Sequence, residues 1–166
     1  FSESLSMDLG GKHVHLLRAP GHSEDGACAH VPEYGVLFGG DTAVTGIVPA
    51  IGDGDSVTLE TTLRRLADLP IRILVPGHGP VMHGEDRVRR WLTGWADYLS
   101  QVRSAVWEAL QGGADPEQVA ASIRFEEYVG DRLPADCHDM PRRHRDTVEK
   151  IVREGLARRG AGWEDA

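Results

Sequence analysis

Ile71-Arg72-Ile73-Leu74-Val75-Pro76-Gly77-His78-Gly79-Pro80 is the stretch on which the reading of this chain turns. The short, nearly continuous apolar run reads as a strand, and Pro76-Gly77 stops it. The histidine that follows stands between glycines, just past the strand end. Two further segments repeat the design. Ala19-Pro20-Gly21-His22-Ser23 follows an apolar strand over Val14 to Arg18, and Gly39-Gly40-Asp41-Thr42 follows Val36 to Phe38. Strand ends are rigid and gather at one sheet edge, and glycine lets the backbone turn sharply beneath a ligand. Imidazole suits zinc, and a carboxylate can bridge two cations. Each segment alone reads as a capped turn. Three in order, with hydrophobic strands and a helix between them, point to a shared metal site of His22, Asp41 and His78.

Outward from these segments, Gly and Pro punctuate the first half of the chain. Leu5 to Leu9, a Gly10-Gly11 turn and Lys12 to Arg18 read as a hairpin, and Ala27 to Val31 with Val36 to Phe38 as a second. Residues 42–55, with Gly46, Gly52 and Gly54, read as a loop. Ser56 opens a helix with Leu59, Leu63 and Leu66 on one face, and Pro70 ends it. In the second half, Val88, Leu92, Trp95, Leu99, Val102, Val106 and Leu110 recur at helical spacing, and Gly112-Gly113 closes that long helix. Asp115-Pro116 is a helix start. A last helix begins near Pro141, with Val148, Ile151, Val152 and Leu156 as its apolar stripe. Its pairs Asp146–Lys150, Glu149–Arg153 and Glu154–Arg158 are expected on a solvated face. The chain thus divides into an α/β part, residues 1–84, and a helical part, residues 85–166.

Composition narrows the function. With 18 Lys and Arg against 26 Asp and Glu, the net charge is −8. This argues against non-specific nucleic-acid binding, which draws on basic side chains. No apolar run approaches a membrane span and no signal peptide is visible, so no membrane partner is expected. Two cysteines, Cys28 and Cys137, make no disulfide framework, and a cytoplasmic location is the expectation. The chain starts at Phe1, not Met, in what reads as the middle of a longer sequence.

Pro-Gly-His22-Ser, Leu-Phe-Gly-Gly-Asp41 and Leu-Val-Pro-Gly-His78-Gly, in this order and spacing, resemble the metallo-β-lactamase-fold hydrolases over about residues 5–84. The resemblance implies the C-terminal half of a metallo-β-lactamase-type αββα sandwich. It gives His22 the completion of a three-His zinc site, Asp41 the bridge between two metals, and His78 the second metal. The helices after His78 are similar to the C-terminal extension of glyoxalase-II-like members. The family's His-x-His-x-Asp-His motif, which belongs to the N-terminal half of the fold, is not in this sequence. His13-Val14-His15 fails it, with Leu17 and Arg18 where Asp and His belong, and reads as a solvent-facing strand pair. The expectation is therefore part of a dinuclear zinc hydrolase of a small-molecule ester, thioester, lactone or phosphoester. It would be inactive without its N-terminal half, and the partner would be that half or a second copy of the chain. Asp at position 41, where the family's zinc β-lactamases commonly carry Cys, favours the broader hydrolase group. The alternative is a non-catalytic α/β-plus-helical assembly or binding module.

Other metal-coloured residues have plainer readings. Cys28-Ala29-His30 alternates along a strand as core and surface. Asp136-Cys137-His138-Asp139 are adjacent loop residues, which rarely converge. His83 reads as a loop residue, and Trp91, Trp95 and Trp107 as helix packing. No nucleophile elbow or phosphate loop is present.

Overall fold

Gly10 and Gly11 both take positive φ, 75° and 86°, the turn that suits the twist of a two-residue hairpin loop. The hairpin they close opens a six-stranded sheet in the computed structural model, which describes residues 3–129 and 140–160. The strands are β1 (Ser4–Asp8), β2 (His13–Arg18), β3 (Ala27–Val31), β4 (Val36–Gly40), β5 (Ile73–Pro76) and β6 (Met82–His83), in spatial order β1-β2-β3-β4-β5-β6. All neighbours are antiparallel except β4 and β5. A parallel pair needs a crossover, and α1 (Ser56–Ala67) lies in that connection. α2 (Glu85–Gln111), α3 (Pro116–Ser122), α4 (Phe125–Tyr128) and α5 (Met140–Gly160) follow.

Both faces of the sheet are apolar, and the described residues cover only one. On the first face Leu17, Cys28, Leu37 and Leu74 meet across the strands, and Cys28, Leu37 and Leu74 join one buried cluster with Leu59, Leu63 and Leu66 of α1. The cluster continues without a break through Leu92, Leu99, Val102 and Val106 of α2 to Val148 and Ile151 of α5. On the second face the register aligns Leu5 with Leu16, Leu16 with Ala29, Ala29 with Phe38 and Phe38 with Val75. None of these is buried, and Leu5 and Phe38 are 46% and 48% exposed. One sheet with helices on one side is half of an αββα sandwich. Soluble monomers rarely expose contiguous apolar patches beyond a few hundred Å².

The helices follow their sequence signals with local corrections. α1 opens at Ser56 as expected, and Asp55 before it is the N-cap: its carboxylate accepts from Thr58 N–H at 2.8 Å. α2 ends at Gly112, and Gly113 takes φ 84° while its N–H returns to Leu110 O. Asp115 caps α3 by accepting from Glu117 and Gln118 N–H. The strand expected at Ile71 starts two residues later, because the N–H groups of Arg72 and Ile73 both bond Gly35 O, while Ile71 plugs the core. β6, read as loop around His83, pairs with β5 through Met82, which is buried against Leu74.

The charge pattern expected for α5 does not form. Asp146 pairs with Arg142 at 3.9 Å. Glu154 turns inward to accept from the N–H and Oγ of Ser56, and burial raises its pKa. Arg158 lies over the Trp107 ring, 4.5 Å from its centroid, a cation–π contact. Leu156, expected in the stripe, is 38% exposed; Gly155 faces the core instead, where a Cβ would stand 2.8 Å from both Leu110 and Trp107.

Candidate metal centre

Three loops are sewn together at the strand ends. Thr42, beside Asp41, donates its hydroxyl to Ala19 O at 2.8 Å, and Thr62 of α1 donates to Pro20 O at 2.7 Å. Gly77 N–H bonds Gly40 O at 2.8 Å, joining the ends of β4 and β5. Thr45 N–H bonds His78 O at 3.0 Å. The N–H groups of Gly52 and Gly54 both reach His22 O. Glycine is required where these loops touch. A Cβ on Gly77 would lie 2.6 Å from Asp41 Oδ1, and one on Gly79, at φ 94°, would overlap Thr45 O.

This stitching brings His22, Asp41 and His78 to one edge of the sheet. His78 Nε2 stands 3.2 Å from Asp41 Oδ1, and His22 Nε2 stands 4.0 Å from Asp41 Oδ2. His22 Nδ1 donates to Ala50 O at 2.9 Å. A carbonyl can only accept, so this bond fixes the tautomer and leaves the Nε2 lone pair free to ligate. The three side chains line a cavity of about 270 Å³ with Val44, Ala50 and Arg143. Sequence reasoning missed Arg143 and the Ala50 contact. Arg143 sits in the basic run Arg142-Arg143-His144-Arg145, which was the available signal; nothing in the sequence tied that run to the strand ends.

The donor types fit a metal, and the set is small. Two imidazole nitrogens and one carboxylate are proper zinc donors. Among the described residues no group of three or more His, Cys, Asp or Glu is disposed to hold an ion. Asp41 instead stands between two histidines.

The remaining candidates lie elsewhere. His13 bonds Glu33 at 2.6 Å, and His15 bonds Ser6 at 2.6 Å. The Cys28 thiol is pushed up to about 12 by burial, which makes it an inert core group. His30 is 5% exposed; its Nε2 has no hydrogen-bond partner among the described residues, and burial lowers its pKa. His83 is exposed on β6. Trp95 is buried, Trp91 donates from Nε1 to Val44 O at 2.8 Å, and Trp107 packs against Arg158. Asp136, Cys137, His138 and Asp139 lie outside the described residues.

Residues 2–78 match the model of the metallo-β-lactamase superfamily, a span that contains all three site residues. The match covers less than half of the chain and lies within its α/β part, which is thus similar to that superfamily. The chain is 20% identical over 160 residues to a linear primary-alkylsulfatase of Pseudomonas sp. (strain ATCC 19151), covering 93% of this chain and 29% of the relative. Among solved structures it is similar to a metallo-β-lactamase family protein of Thermus thermophilus, with a TM-score of 0.63 and 19% identity, over 97% of this chain and 49% of the other. It is also similar to the stereoselective inverting sec-alkylsulfatase Pisa1 of Pseudomonas sp., with a TM-score of 0.65 and 14% identity, over 100% of this chain and 28% of the other. The chain therefore spans less than half the length of each. No helix among the described residues is long and apolar enough to cross a membrane.

Proposed function

We propose that this chain forms part of a dinuclear zinc hydrolase acting on a small-molecule ester, thioester, lactone or phosphoester. The observation that carries the reading is the approach of His22 and His78 to the two oxygens of one carboxylate, Asp41. Asp41 would bridge two ions, while His22 and His78 would each hold one. When bound, the metal supplies Lewis acidity and lowers the pKa of water. The protein's part is to hold the donors still. The Ala50 carbonyl orients His22, the Gly40–Gly77 bond holds Asp41 beside His78, and Val44 and Ala50 wall the cavity.

Residues 1–84 are the α/β half in this reading, and residues 85–166 are a helical extension sharing its core. The uncovered sheet face around Leu16, Ala29 and Phe38 would receive the other half of the sandwich or a second copy of the chain, and the other half would bring the missing ligands. The small donor set favours a second reading, a non-catalytic module that folds for assembly.

The test assays a panel of chromogenic esters, thioesters, lactones and phosphoesters with and without added zinc. It uses this chain alone and the chain mixed with a metallo-β-lactamase-type N-terminal half. Metal-dependent turnover that needs the added half and disappears in Asp41→Asn is expected. Assembly with that half, without turnover on any substrate, would establish the module instead.

A further inference from the structure

Helix α5 reaches back over the strand ends. Met140, Arg143 and Thr147 fall on one face of it at spacings of three and four, and all three grip one short segment. Val48 N–H meets Met140 Sδ at 3.4 Å, Arg143 Nε–H donates to Val48 O at 3.2 Å, and Thr147 Oγ1–H donates to Pro49 O at 3.1 Å. The next carbonyl, Ala50 O, is the one that orients His22. The helical part of the chain is thereby fastened to the candidate metal centre, and Arg143 becomes part of the cavity wall beside His22, Asp41 and His78.

An arginine is an odd neighbour for cations. Its guanidinium stays charged at any physiological pH and presents five N–H donors. The bond to Val48 O uses Nε alone, and no carboxylate among the described residues pairs with this side chain. Among the described residues that line the cavity, Arg143 carries the only permanent positive charge. A half-buried guanidinium with donors to spare matches an oxyanion, which it can hold through two parallel N–H···O bonds.

We propose that Arg143 is the anion-recognition residue of this cavity, and that the group it receives is a tetrahedral oxyanion, a sulfate or phosphate ester, in preference to a neutral lactone or thioester. That the oxyanion belongs to a substrate rests on the hydrolase reading; the anion site itself does not.

The test measures binding of inorganic sulfate, and separately inorganic phosphate, to the chelator-treated chain at low ionic strength. Calorimetry and the ¹⁵N-detected Arg143 side-chain signal are the readouts. Saturable binding that shifts the Arg143 signal is expected. Arg143→Gln should weaken it by about tenfold or more, and Arg143→Lys, which keeps the charge but not the fork, by less. Arg145→Gln, the same charge change at an exposed position of the same helix, should leave it unchanged. Thermal melts confirm that each variant is folded, and the wild-type signal alone decides the matter if Arg143→Gln is not. Whichever anion binds more tightly names the ester class. No saturable binding, an unmoved Arg143 signal, or equal loss in Arg145→Gln overturns the proposal. Because no metal is present, a chain that binds the anion but never hydrolyses an ester would fail the hydrolase reading alone.

Discussion

His78 Nε2 lies 3.2 Å from Asp41 Oδ1, across the ends of a parallel strand pair that the Gly77–Gly40 hydrogen bond holds together. The approach depends on glycine, since a Cβ at position 77 would occupy the space of the same carboxylate oxygen. The other oxygen of Asp41 faces His22 at 4.0 Å. One carboxylate is thus shared by two imidazoles, and its loss should affect both.

The isolated chain should therefore bind zinc far more weakly than structural sites with four ligands, whose binding free energies reach about 10–16 kcal/mol. Asp41→Asn should weaken binding more than His22→Ala or His78→Ala alone. Competition against a chromophoric chelator measures all four proteins. Tight binding of two zinc ions per monomer, or an Asp41→Asn variant that binds like wild type, would contradict the shared-carboxylate arrangement.

Gly79→Ala should destabilise the site loop. The residue sits at φ 94° against Thr45 O, and Thr45 N–H in turn holds His78 O. An alanine must either adopt a strained backbone, at about 1–3 kcal/mol, or push Thr45 away. A lowered melting temperature together with weaker zinc binding is the expected pair of results. Gly94→Ala, in an open stretch of α2, should be neutral or mildly stabilising, as helix propensity dictates.

The strand ends were legible in the sequence because apolar runs stopped by Pro-Gly or Gly-Gly leave few other readings. Leu59, Leu63 and Leu66 announced α1, and Leu92, Leu99 and Val106 announced α2, through spacing alone, and all are buried. What stayed hidden were contacts between elements remote in sequence. Glu154 looked like one member of a surface pair, yet it bonds Ser56; Arg143 looked like one charge in a basic run, yet it joins the cavity of His22. Periodicity says which face of a helix is apolar. It does not say which polar residue at the border of that face meets a loop from the other half of the chain.

The sheet face that the described residues leave uncovered predicts self-association. Phe38 is 48% exposed at its centre, with Ala29 and Val75 as cross-strand neighbours. Phe38→Lys should lower both light scattering and binding of a hydrophobic dye, with little change in melting temperature, because the side chain is not in the buried core. A stable wild-type monomer that binds no dye would mean that the face is covered.

His144 makes stability fall in mild acid. It is 2% exposed, accepts from Tyr98 Oη at Nδ1 at 2.8 Å and donates from Nε2 to Ile123 O at 3.0 Å. The carbonyl can only accept, so the proton sits on Nε2 and the neutral ring is satisfied at both nitrogens. Burial is the largest influence on its pKa and lowers it below the ordinary 6.5, outweighing the Ile123 bond and the Glu126 charge, which act the other way. The unfolded chain therefore takes up the proton first as pH falls. The contribution of neutral His144 is complete above pH 6.5 and is lost progressively as pH drops below that value toward the folded-state pKa. His30, also lowered by burial, acts in the same sense. Glu154, raised by burial, acts in the opposite sense at pH values above 4.5, where the unfolded carboxyl ionises first. A variant separates these contributions. His144→Gln keeps a donor and an acceptor but cannot take a proton, so its melting temperature should fall less on acidification from neutral pH to about one unit below the ordinary histidine value than that of the wild type. Equal losses in the two proteins would show that the acid sensitivity lies elsewhere.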